Sequence, residues 1–455
     1  MSTIVARASG PLRGECRVPG DKSILHRAVI VASLAVGESL IEGFSGGEDN
    51  LRTIEALRAM GAAIDVAGHS IRARGAGFDG LRPAGRIDCG NSGTSMRLLA
   101  GLCAAQRGVT ILDGDESLRR RPMRRVAQPL ERMGARVGGR ASAAGEILPP
   151  IEVRGGALHG IDETLAVASA QVKSALLLAA LHAEGVTCLH EPTRSRDHTE
   201  RMLTLAGAPL RVDENAAIVL DPSGWDHRLR PLDLTIPGDF SSAAFVVAAA
   251  LLVPGSDVVV RDVGVNPTRT GALDALRAMG AAIDLEDVRE AASARPTGRA
   301  GGEPVADLRV RGSALHACTI AGELTVRALD EIPILAIVAS QAEGTTVIRD
   351  ASELRRKESD RLAAMARALR RLGCEVEEAP DGLVIAGPCA LAGGDFDVTD
   401  VGLDHRVAMS LAIAGLVARA PVRLAGAGTI ATSFPGFAST LAALGAPIAA
   451  SLRTG

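Results

Sequence analysis

Aromatic side chains are scarce in this 455-residue sequence, which has no tyrosine, one tryptophan and seven phenylalanines. A protein that stacks on nucleobases needs several such rings. The formal net charge is −3, which provides no positive field to attract a polyanion. Both features argue against a nucleic-acid-binding protein, and we expect no nucleic-acid partner.

Long apolar runs are also missing. The longest, residues 243–253, stops at Pro254 and Gly255 and is well short of the roughly 20 residues that span a bilayer. The first ten residues, MSTIVARASG, lack the apolar core of a secretion signal. We therefore expect a buried helix at 243–253, no membrane partner and a cytoplasmic location.

Cysteines are few and scattered. They form no CxxC pair, and we expect none of them to have a histidine partner, so free buried thiols and no structural zinc site are predicted. The seven are Cys16, Cys89, Cys103, Cys188, Cys318, Cys374 and Cys389. With 47% hydrophobic and 23% charged residues, the chain is long enough for two or three globular domains.

An internal repeat is the strongest pattern. The octapeptide RAMGAAID occurs at 58–65 and again at 277–284, and weaker copies share its glycine. Successive glycines are 73, 73, 73, 93 and 72 residues apart, a spacing typical of one supersecondary unit. The six glycines are Gly61, Gly134, Gly207, Gly280, Gly373 and Gly445.

Each glycine follows an apolar helical segment and precedes a strand-like one, as a left-handed helix cap requires. The predicted order within a unit is strand, helix, strand, helix, strand. The fourth interval is 20 residues longer, and the extra residues fall around 286–303, which we interpret as a surface insertion. Six units could build one solenoid or two groups of three, and the length favours two lobes.

A polar turn precedes the first helix of every unit. Helix amino termini carry unpaired N–H groups and a partial positive charge, so Gly, Ser or Thr followed by Lys or Arg predicts an anion site. The last three turns add acids (Asp239, Asp330, Glu331, Asp404) suited to proton transfer, although an ordinary helix cap explains PGDFSS equally well. The six turns are PGDKSILHR (19–27), GNSGTSMR (90–97), SAQVKS (169–174), PGDFSS (237–242), LDEIP (329–333) and GLDHR (402–406).

Lysine is nearly absent. Of the 50 basic residues only Lys22, Lys173 and Lys357 are lysines, and all lie in or beside polar segments. A compact ammonium differs from a guanidinium in shape and in its adjustable pKa, so these positions are candidates for chemistry, with chance retention the alternative, above all for Lys173. Lys357 and Arg361 stand four apart, a repulsive helical spacing expected at a functional site or on a solvated face. The arginine-rich segment 117–125 could be a surface patch, a nucleic-acid arm or an anion clamp.

Taken together, eight motifs in order resemble the 5-enolpyruvylshikimate-3-phosphate synthase family, in particular its class II bacterial branch. The similarity extends from about Val18 to Pro435. The motifs are PGDKS-xx-HR, GNSGT-xx-R, RPM-x-R, SAQVKS, SRDHTE, NPTR, RRKESDR and DHR-x-AM.

The resemblance implies an α/β fold: a two-domain inside-out α/β barrel, each domain built of three βαβαββ repeats, with the active site in the interdomain cleft. It assigns 19–235 to the lobe on the shikimate 3-phosphate side, and 1–18 plus 236–455 to the lobe with the catalytic Asp and Glu. The implied reaction moves the enolpyruvyl group of phosphoenolpyruvate to the 5-hydroxyl of shikimate 3-phosphate, through a tetrahedral adduct and with release of phosphate. No metal or organic cofactor is expected, and we expect a monomer acting on small molecules.

The resemblance also implies site residues. Asp330 would take the 5-hydroxyl proton, and Glu358, assisted by Lys22, would handle the proton at the methylene carbon. The shikimate 3-phosphate residues would be Lys22, Ser23, Arg27, Ser169, Ala170, Gln171, Arg196, Asp330 and Lys357, with Ser195 as a further phosphate contact. The phosphoenolpyruvate residues would be Lys22, Gly93, Arg121, Gln171, Arg361 and Arg406, with Asn91 and Thr94 shaping the loop and His405 in support.

Two alternatives remain at this point. The sister enzyme that acts on UDP-N-acetylglucosamine shares the fold but uses a loop cysteine, whereas the corresponding segment here, DGDESLRRRPM (113–123), has none. A non-catalytic sugar-phosphate or nucleic-acid-binding protein could use the same cationic turns but has little use for Asp330 and Glu358. The segment 431–435 also lacks the lysine found nearby in the other class of the family.

Overall fold

A computed structural model describes residues 2–295, 302–402 and 404–452. The chain divides into two compact units. The first, unit N, comprises Gly20–Ile236 and Glu290–Glu303; the second, unit C, comprises Met1–Pro19, Pro237–Arg289 and Pro304–Gly455. The predicted lobes 19–235 and 1–18 plus 236–455 stay a prediction, and these units differ from them by one residue at two boundaries and by the placement of 290–303.

Strands and helices alternate along the whole chain. The strands are β1 Ser2–Ala6, β2 Arg13–Arg17, β3 Val36–Glu42, β4 Ala63–Ala67, β5 Ser70–Ala76, β6 Gly85–Asp88, β7 Gly108–Asp113, β8 Arg136–Ala141, β9 Ile147–Gly155, β10 Leu158–His159, β11 Asp162–Thr164, β12 Ala183–Glu184, β13 Thr187–His190, β14 Leu210–Val212, β15 Ile218–Leu220, β16 Asp233–Thr235, β17 Asp257–Gly264, β18 Ala282–Glu290, β19 Pro304–Arg311, β20 Thr319–Ile320, β21 Gly344–Ile348, β22 Val376–Ala379, β23 Gly382–Gly387, β24 Gly394–Asp397, β25 Val422–Ala425 and β26 Ile448–Leu452. The helices are α1 Lys22–Leu34, α2 Glu48–Ala59, α3 Gly93–Ala104, α4 Arg124–Arg132, α5 Ala170–Ala180, α6 His198–Ala206, α7 Phe240–Leu252, α8 Gly271–Ala278, α9 Glu323–Ala328, α10 Ile332–Ala339, α11 Arg361–Arg371, α12 His405–Ala414 and α13 Phe437–Ala443.

The strands of the described residues form six four-stranded sheets, three in each unit, and one small two-stranded sheet. In the sheet β6-β7-β9-β8, for example, β6 and β7 are parallel, and the hairpin of β8 and β9 adds antiparallel to β7. Helix α3 connects the parallel pair, and α4 leads to the hairpin. This is the βαβαββ order, and it confirms the predicted fold class.

Three of the sheets are completed by strands from distant parts of the sequence. In unit N, β16 pairs in parallel with β3 of the first repeat. In unit C, β2 pairs in parallel with β17, and β1 lies between β25 and β26. Each unit therefore contains at least one sheet in which a strand pairs with strands far from it in the sequence.

The first helix of each repeat is buried on almost all sides, and the sheets lie outside. In α7, every residue from Phe240 to Leu251 is buried, and α10 is buried throughout. The strands alternate instead, as in β5, where buried and exposed residues follow one another. A helix apolar all round belongs in a core, and a sheet with one polar face can border water, which produces the inside-out arrangement. Among the described residues, no helix combines the length and apolar character needed to span a bilayer.

The repeat glycines have the backbone conformation that the sequence predicts. All six have positive φ, between 90° at Gly207 and 109° at Gly134. In this region a side chain beyond glycine is strained, so each glycine turns the chain from helix into strand.

The predicted surface insertion at 286–303 is wrong in part. Residues up to Glu290 extend strand β18, and the segment Glu290–Glu303 belongs to unit N. Its described ends are buried there: Ala291 and Glu303 are shielded from solvent, and Ala292 accepts a backbone hydrogen bond from Thr235. The Gly, Pro, Ala and Arg content of the segment suggested a solvated loop. Composition does not show that the segment belongs to unit N while the residues on either side of it belong to unit C. Residues 296–301 lie outside the described residues.

Close packing of α3 against α5 depends on Gly101. A Cβ atom at Gly101 would lie 2.1 Å from the carbonyl oxygen of Ala175, which is backbone and cannot move away alone. We expect Gly101→Ala to separate the two helices and lower the free energy of unfolding by about 1–3 kcal/mol or more. Urea denaturation measures this, with Gly138→Ala as the matched control, since a Cβ there meets nothing within 4 Å. Equal midpoints for both variants would contradict the packing argument.

Candidate active site

Unit N gathers three helix amino termini that begin at predicted site residues: α1 at Lys22, α3 at Gly93 and α5 at Ala170. Each helix is capped by the preceding side chain. These caps are Asp21, Ser92 and Ser169, each accepting from a backbone N–H of the first turn. The predicted Ser169 is thus a helix cap in this structure, and the first-turn N–H groups remain oriented for an anion.

Lys22 is held by an acid that the sequence analysis missed. Its ammonium forms an ion pair with Asp49 near the start of α2, and its carbonyl accepts from Asn50 at 3.0 Å. Both side chains of the ion pair are partly exposed. Asp49 lies in the first turn of a helix, where acids are favoured for stability alone, so its position does not mark it as a site residue in the sequence.

Arg27 is a buried residue of α1 that connects this helix to α5 and α6. It is 4% exposed and donates to Thr199 (2.8 Å), Ser174 (2.9 Å) and the carbonyl of Ser23 (2.9 Å). Burial, followed by the nearby positive charge of Arg196, lowers its pKa to about 10. Arg27 therefore stays charged near neutral pH and adds positive potential beside the start of α1.

A polar group spans α3 and α5. Gln171 donates to Thr94 (2.9 Å) and accepts from Arg97 (2.8 Å). Arg97 belongs to the GNSGT-xx-R motif but received no role from the sequence. A Cβ atom at Gly93 would lie 2.9 Å from Nη1 of Arg97 and 3.0 Å from Nη1 of Arg121. The missing side chain lets both guanidiniums approach the helix start.

The structure brings Arg121 and Asn91, from two different loops, into contact. Nη2 of Arg121 donates to the side-chain oxygen of Asn91 at 2.7 Å. Arg121 follows a 3₁₀ turn at Leu118–Arg120, and the loop is fixed by Asp113, which forms ion pairs with Arg86 and Arg119. The hydrogen bond from Arg119 lowers the pKa of Asp113 most strongly, so the loop anchor remains ionised.

A buried hydrogen-bond chain connects the starts of α1 and α3. Nδ1 of His26 lies 2.7 Å from the Thr53 hydroxyl, which lies 2.7 Å from that of Ser95, and Ser95 contacts Ser92 at 2.8 Å. Burial lowers the pKa of His26 to about 3, so the ring is neutral. The chain fixes the cap of α3 relative to α1, and with it the spacing of Lys22 and Gly93.

Lys173, the third lysine, is structural in this arrangement. It is fully buried and forms ion pairs with Glu191 (2.8 Å) and Glu200 (2.7 Å). Glu191 also accepts from the hydroxyl of Ser195, a predicted phosphate contact. The ammonium therefore anchors the segment that carries Ser195 and Arg196.

In unit C, one guanidinium holds three carboxylates. Arg361 is 2% exposed and donates to Asp404 (2.8 Å), Glu358 (2.6 Å) and Asp330 (3.3 Å). Burial disfavours its charge, but Asp404, Glu358 and Asp330 outweigh burial and raise its pKa. The predicted acids Asp330 and Glu358 are thus brought together. The helical spacing predicted for Lys357 and Arg361 is wrong, because α11 begins at Arg361 and Lys357 precedes it in extended backbone.

Lys357 and Arg406, the other cations predicted for unit C, lie beside this cluster. Nζ of Lys357 lies 3.5 Å from the Asp330 carboxylate, and Nη1 of Arg406 donates to the Asp330 carbonyl at 3.1 Å. Asp404 caps α12 through the N–H groups of Arg406 and Val407. Burial alone would raise the pKa of Asp404, but Arg361 lowers it, so this carboxylate remains ionised.

Arg269 of the NPTR motif forms a second buried network that the sequence analysis did not assign. It donates to Glu331 (2.8 Å) and Asp239 (3.3 Å), and it contacts the Ser241 hydroxyl. Asp239 caps α7, which is the ordinary function that PGDFSS also allowed. Burial opposes ionisation of Asp239, but Arg269 and then Arg406 lower its pKa. This network joins the starts of α7 and α10.

The chemistry available therefore differs between the units. Unit N presents ammonium and guanidinium groups at helix starts, which suit phosphate and carboxylate groups. Unit C presents carboxylates positioned by buried cations, which suit proton transfer. Among the described residues, the one group of three close metal-donor side chains lies elsewhere, on the sheet β11-β13-β15-β14 of unit N.

Comparison with known proteins agrees with this chemistry. Residues 6–441 match the family model described as EPSP synthase (3-phosphoshikimate 1-carboxyvinyltransferase). A 3-phosphoshikimate 1-carboxyvinyltransferase of Geobacter sulfurreducens is 50% identical over 442 residues, which cover 97% of this chain and 99% of the relative. One from Gloeobacter violaceus is 53% identical over 434 residues, covering 95% and 96% respectively.

Solved structures give the same result. An EPSP synthase from Acinetobacter baumannii superimposes with a TM-score of 0.84 at 40% identity, covering 99% of this chain and all of that one. The enolpyruvyl transferase NikO from Streptomyces tendae has a TM-score of 0.76 at 20% identity, which establishes a shared fold alone. The repeats, the motifs and these full-length similarities together establish that this chain is an enzyme of the EPSP synthase family.

Proposed function

We propose that this chain transfers the enolpyruvyl group of phosphoenolpyruvate to the 5-hydroxyl of shikimate 3-phosphate and releases phosphate. The observation that carries the proposal is the cluster of Asp330, Glu358 and Asp404 around buried Arg361. A protein that only binds anions has no use for Asp330 and Glu358, which occupy no helix-cap position and would repel the ligand. The loop 113–123 also lacks the cysteine that the sister enzyme uses.

The cations of unit N are assigned to substrate binding. Lys22 and Arg196 suit the phosphate of shikimate 3-phosphate, and Arg121 with Gln171 suits phosphoenolpyruvate. Arginine makes paired, charge-assisted hydrogen bonds to phosphate and carboxylate alike. Arg27 has four hydrogen bonds within unit N, so its part is to hold Ser23 and Ala170 in place as well as to add charge.

The carboxylates of unit C are assigned to proton transfer. Asp330 would accept the proton of the attacking 5-hydroxyl, and Lys357 and Arg361 stabilise its ionised form. Glu358 lies 2.6 Å from Arg361. In its protonated form it would donate a proton to the methylene carbon as the adduct forms, and the carboxylate so produced would remove one as the adduct collapses. Asp404 is the fully buried member, so its part is to orient Arg361. The monomeric state and the cytoplasmic location stay predictions.

A choice of acceptors tests the proposal. Phosphate release from phosphoenolpyruvate should require shikimate 3-phosphate and yield 5-enolpyruvylshikimate 3-phosphate by mass spectrometry. The same assay with UDP-N-acetylglucosamine should remain at background, because the chain lacks the loop cysteine. Turnover with the nucleotide sugar alone would overturn the assignment, and turnover with neither would favour a binding protein.

Replacing Glu358 by Gln tests the proton-transfer assignment. The amide keeps an oxygen for Arg361 but cannot exchange a proton, so we expect the kcat to fall about 10²–10⁴-fold while both substrates still bind. Titration calorimetry with shikimate 3-phosphate measures binding, and phosphate release measures turnover. The matched control is Glu378→Gln, since Glu378 is also a half-buried partner of an arginine, Arg355, at 3.0 Å. A normal kcat in Glu358→Gln would remove this residue from the mechanism.

Replacing Gly93 by Ala tests the phosphoenolpyruvate assignment. The added methyl group would displace the guanidiniums of Arg97 and Arg121, which can move because they end flexible side chains. Loss of a charged hydrogen bond should raise the KM for phosphoenolpyruvate about 10–100-fold. The dissociation constant for shikimate 3-phosphate and the melting temperature should change little. An unchanged KM for phosphoenolpyruvate would show that the two guanidiniums do not contact this substrate.

A further inference from the structure

Three side chains with different metal-donor atoms lie close together on the sheet β11-β13-β15-β14 of unit N. Cys188 and His190 lie two apart on β13, so they point to the same face of the sheet. Asp162 on β11 is the direct parallel partner of Cys188. The three donor atoms all lie within 4.8 Å of one another.

One of the two separations involving His190 already suits a small metal ion, and the other is about half an ångström short. Zinc bonds of about 2.0–2.3 Å in a tetrahedron place ligand atoms about 3.3–3.7 Å apart. Nε2 of His190 lies 3.5 Å from Sγ of Cys188 and 2.8 Å from Oδ1 of Asp162. The nitrogen–sulfur distance already suits two ligands of one zinc ion. The nitrogen–oxygen distance is that of a hydrogen bond and would lengthen by about half an ångström around an ion.

The donor set suits zinc and excludes magnesium and calcium. Thiolate sulfur, imidazole nitrogen and carboxylate oxygen are the three ligand types of zinc in proteins, whereas magnesium and calcium take oxygen alone. The site is open to solvent, since the side chains of Asp162 and His190 are 79% and 39% exposed. Water can therefore supply the fourth ligand.

We propose that Asp162, Cys188 and His190 form a zinc-binding site, with water as the fourth ligand. The prediction that no cysteine has a histidine partner is wrong at Cys188, because His190 follows two residues later. Binding removes the thiol proton: the S–H bond of Cys188 breaks, the proton enters solvent, and a sulfur–zinc bond forms.

A zinc ion at this position would hold two strands of the sheet together. Zinc would tie β11 to its parallel neighbour β13, whose pairing covers only three residue pairs. His190 directly precedes Glu191, which pairs with the buried Lys173 and accepts from Ser195. The ion would thus fasten the strand that leads into the Ser195–Arg196 segment, independently of the reaction proposed above.

Cobalt(II) is the appropriate probe, because it adopts zinc geometry and reports thiolate ligation by its absorption. Titration of the full-length reduced protein should give one bound cobalt per chain, a near-ultraviolet thiolate-to-cobalt charge-transfer band and intense visible bands of four-coordination. Zinc should displace these bands and raise the melting temperature, since an ion that binds the folded state stabilises it.

Variants decide whether the ion is at this site. Cys188→Ser should abolish the charge-transfer band, and Asp162→Asn and His190→Ala should weaken cobalt binding at least tenfold. The matched control, Cys318→Ser, removes a half-buried thiol of unit C and should keep the bands unchanged. No cobalt band at millimolar metal, or a band that persists in Cys188→Ser, would overturn the proposal and leave His190 and Asp162 as a surface ion pair.

Discussion

Burying six apolar helices imposes one constraint on everything else: the unpaired N–H groups of their first turns must find partners. Side chains supply these partners at α1, α3, α5, α7 and α12, through Asp21, Ser92, Ser169, Asp239 and Asp404. Helix α10 instead follows a 3₁₀ turn and has Pro333 in its first turn. Polar residues are therefore concentrated where apolar helices begin, and the candidate site is built from that concentration.

The same constraint explains the different charges of the units. In unit N the caps are mostly neutral hydroxyls, and Lys22, Arg97 and Arg121 dominate the potential at the helix starts. In unit C two caps are aspartates, which burial would neutralise unless cations lay close. Arg269 and Arg361 provide this compensation. Buried guanidiniums thus keep the acids ionised and, in the case of Arg361, also position Glu358 and Asp330.

Much of this architecture could be predicted from local sequence signals. The spacing of the repeat glycines predicted six helix-to-strand turns, and the polar turns marked six helix starts; both were confirmed because each depends on a few neighbouring residues. The motifs identified the family, which the full-length comparisons confirmed. The particular roles of the site residues stay predictions.

What the sequence did not reveal depends on pairing between distant segments. Asp49 meets Lys22, and Arg269 meets Glu331, only after the helices have packed. The segment 290–303 looked like a loop because composition does not show which unit its ends join. Asp162 lies next to Cys188 because β11 and β13 pair in parallel. The spacing of Asp162, Cys188 and His190 in the sequence therefore does not predict that all three donors meet.

The sheets of unit C have a consequence for biosynthesis. Strand β1 is translated long before either of its neighbours, because β25 and β26 both lie beyond residue 421. Unit N, apart from 290–303, is complete by residue 236 and can collapse while β1 and β2 are still unpaired. Each strand must avoid aggregation until its partner is translated, which for β2 is β17 and for β1 is the pair β25 and β26. The short, charged and glycine-containing β2 suits this requirement.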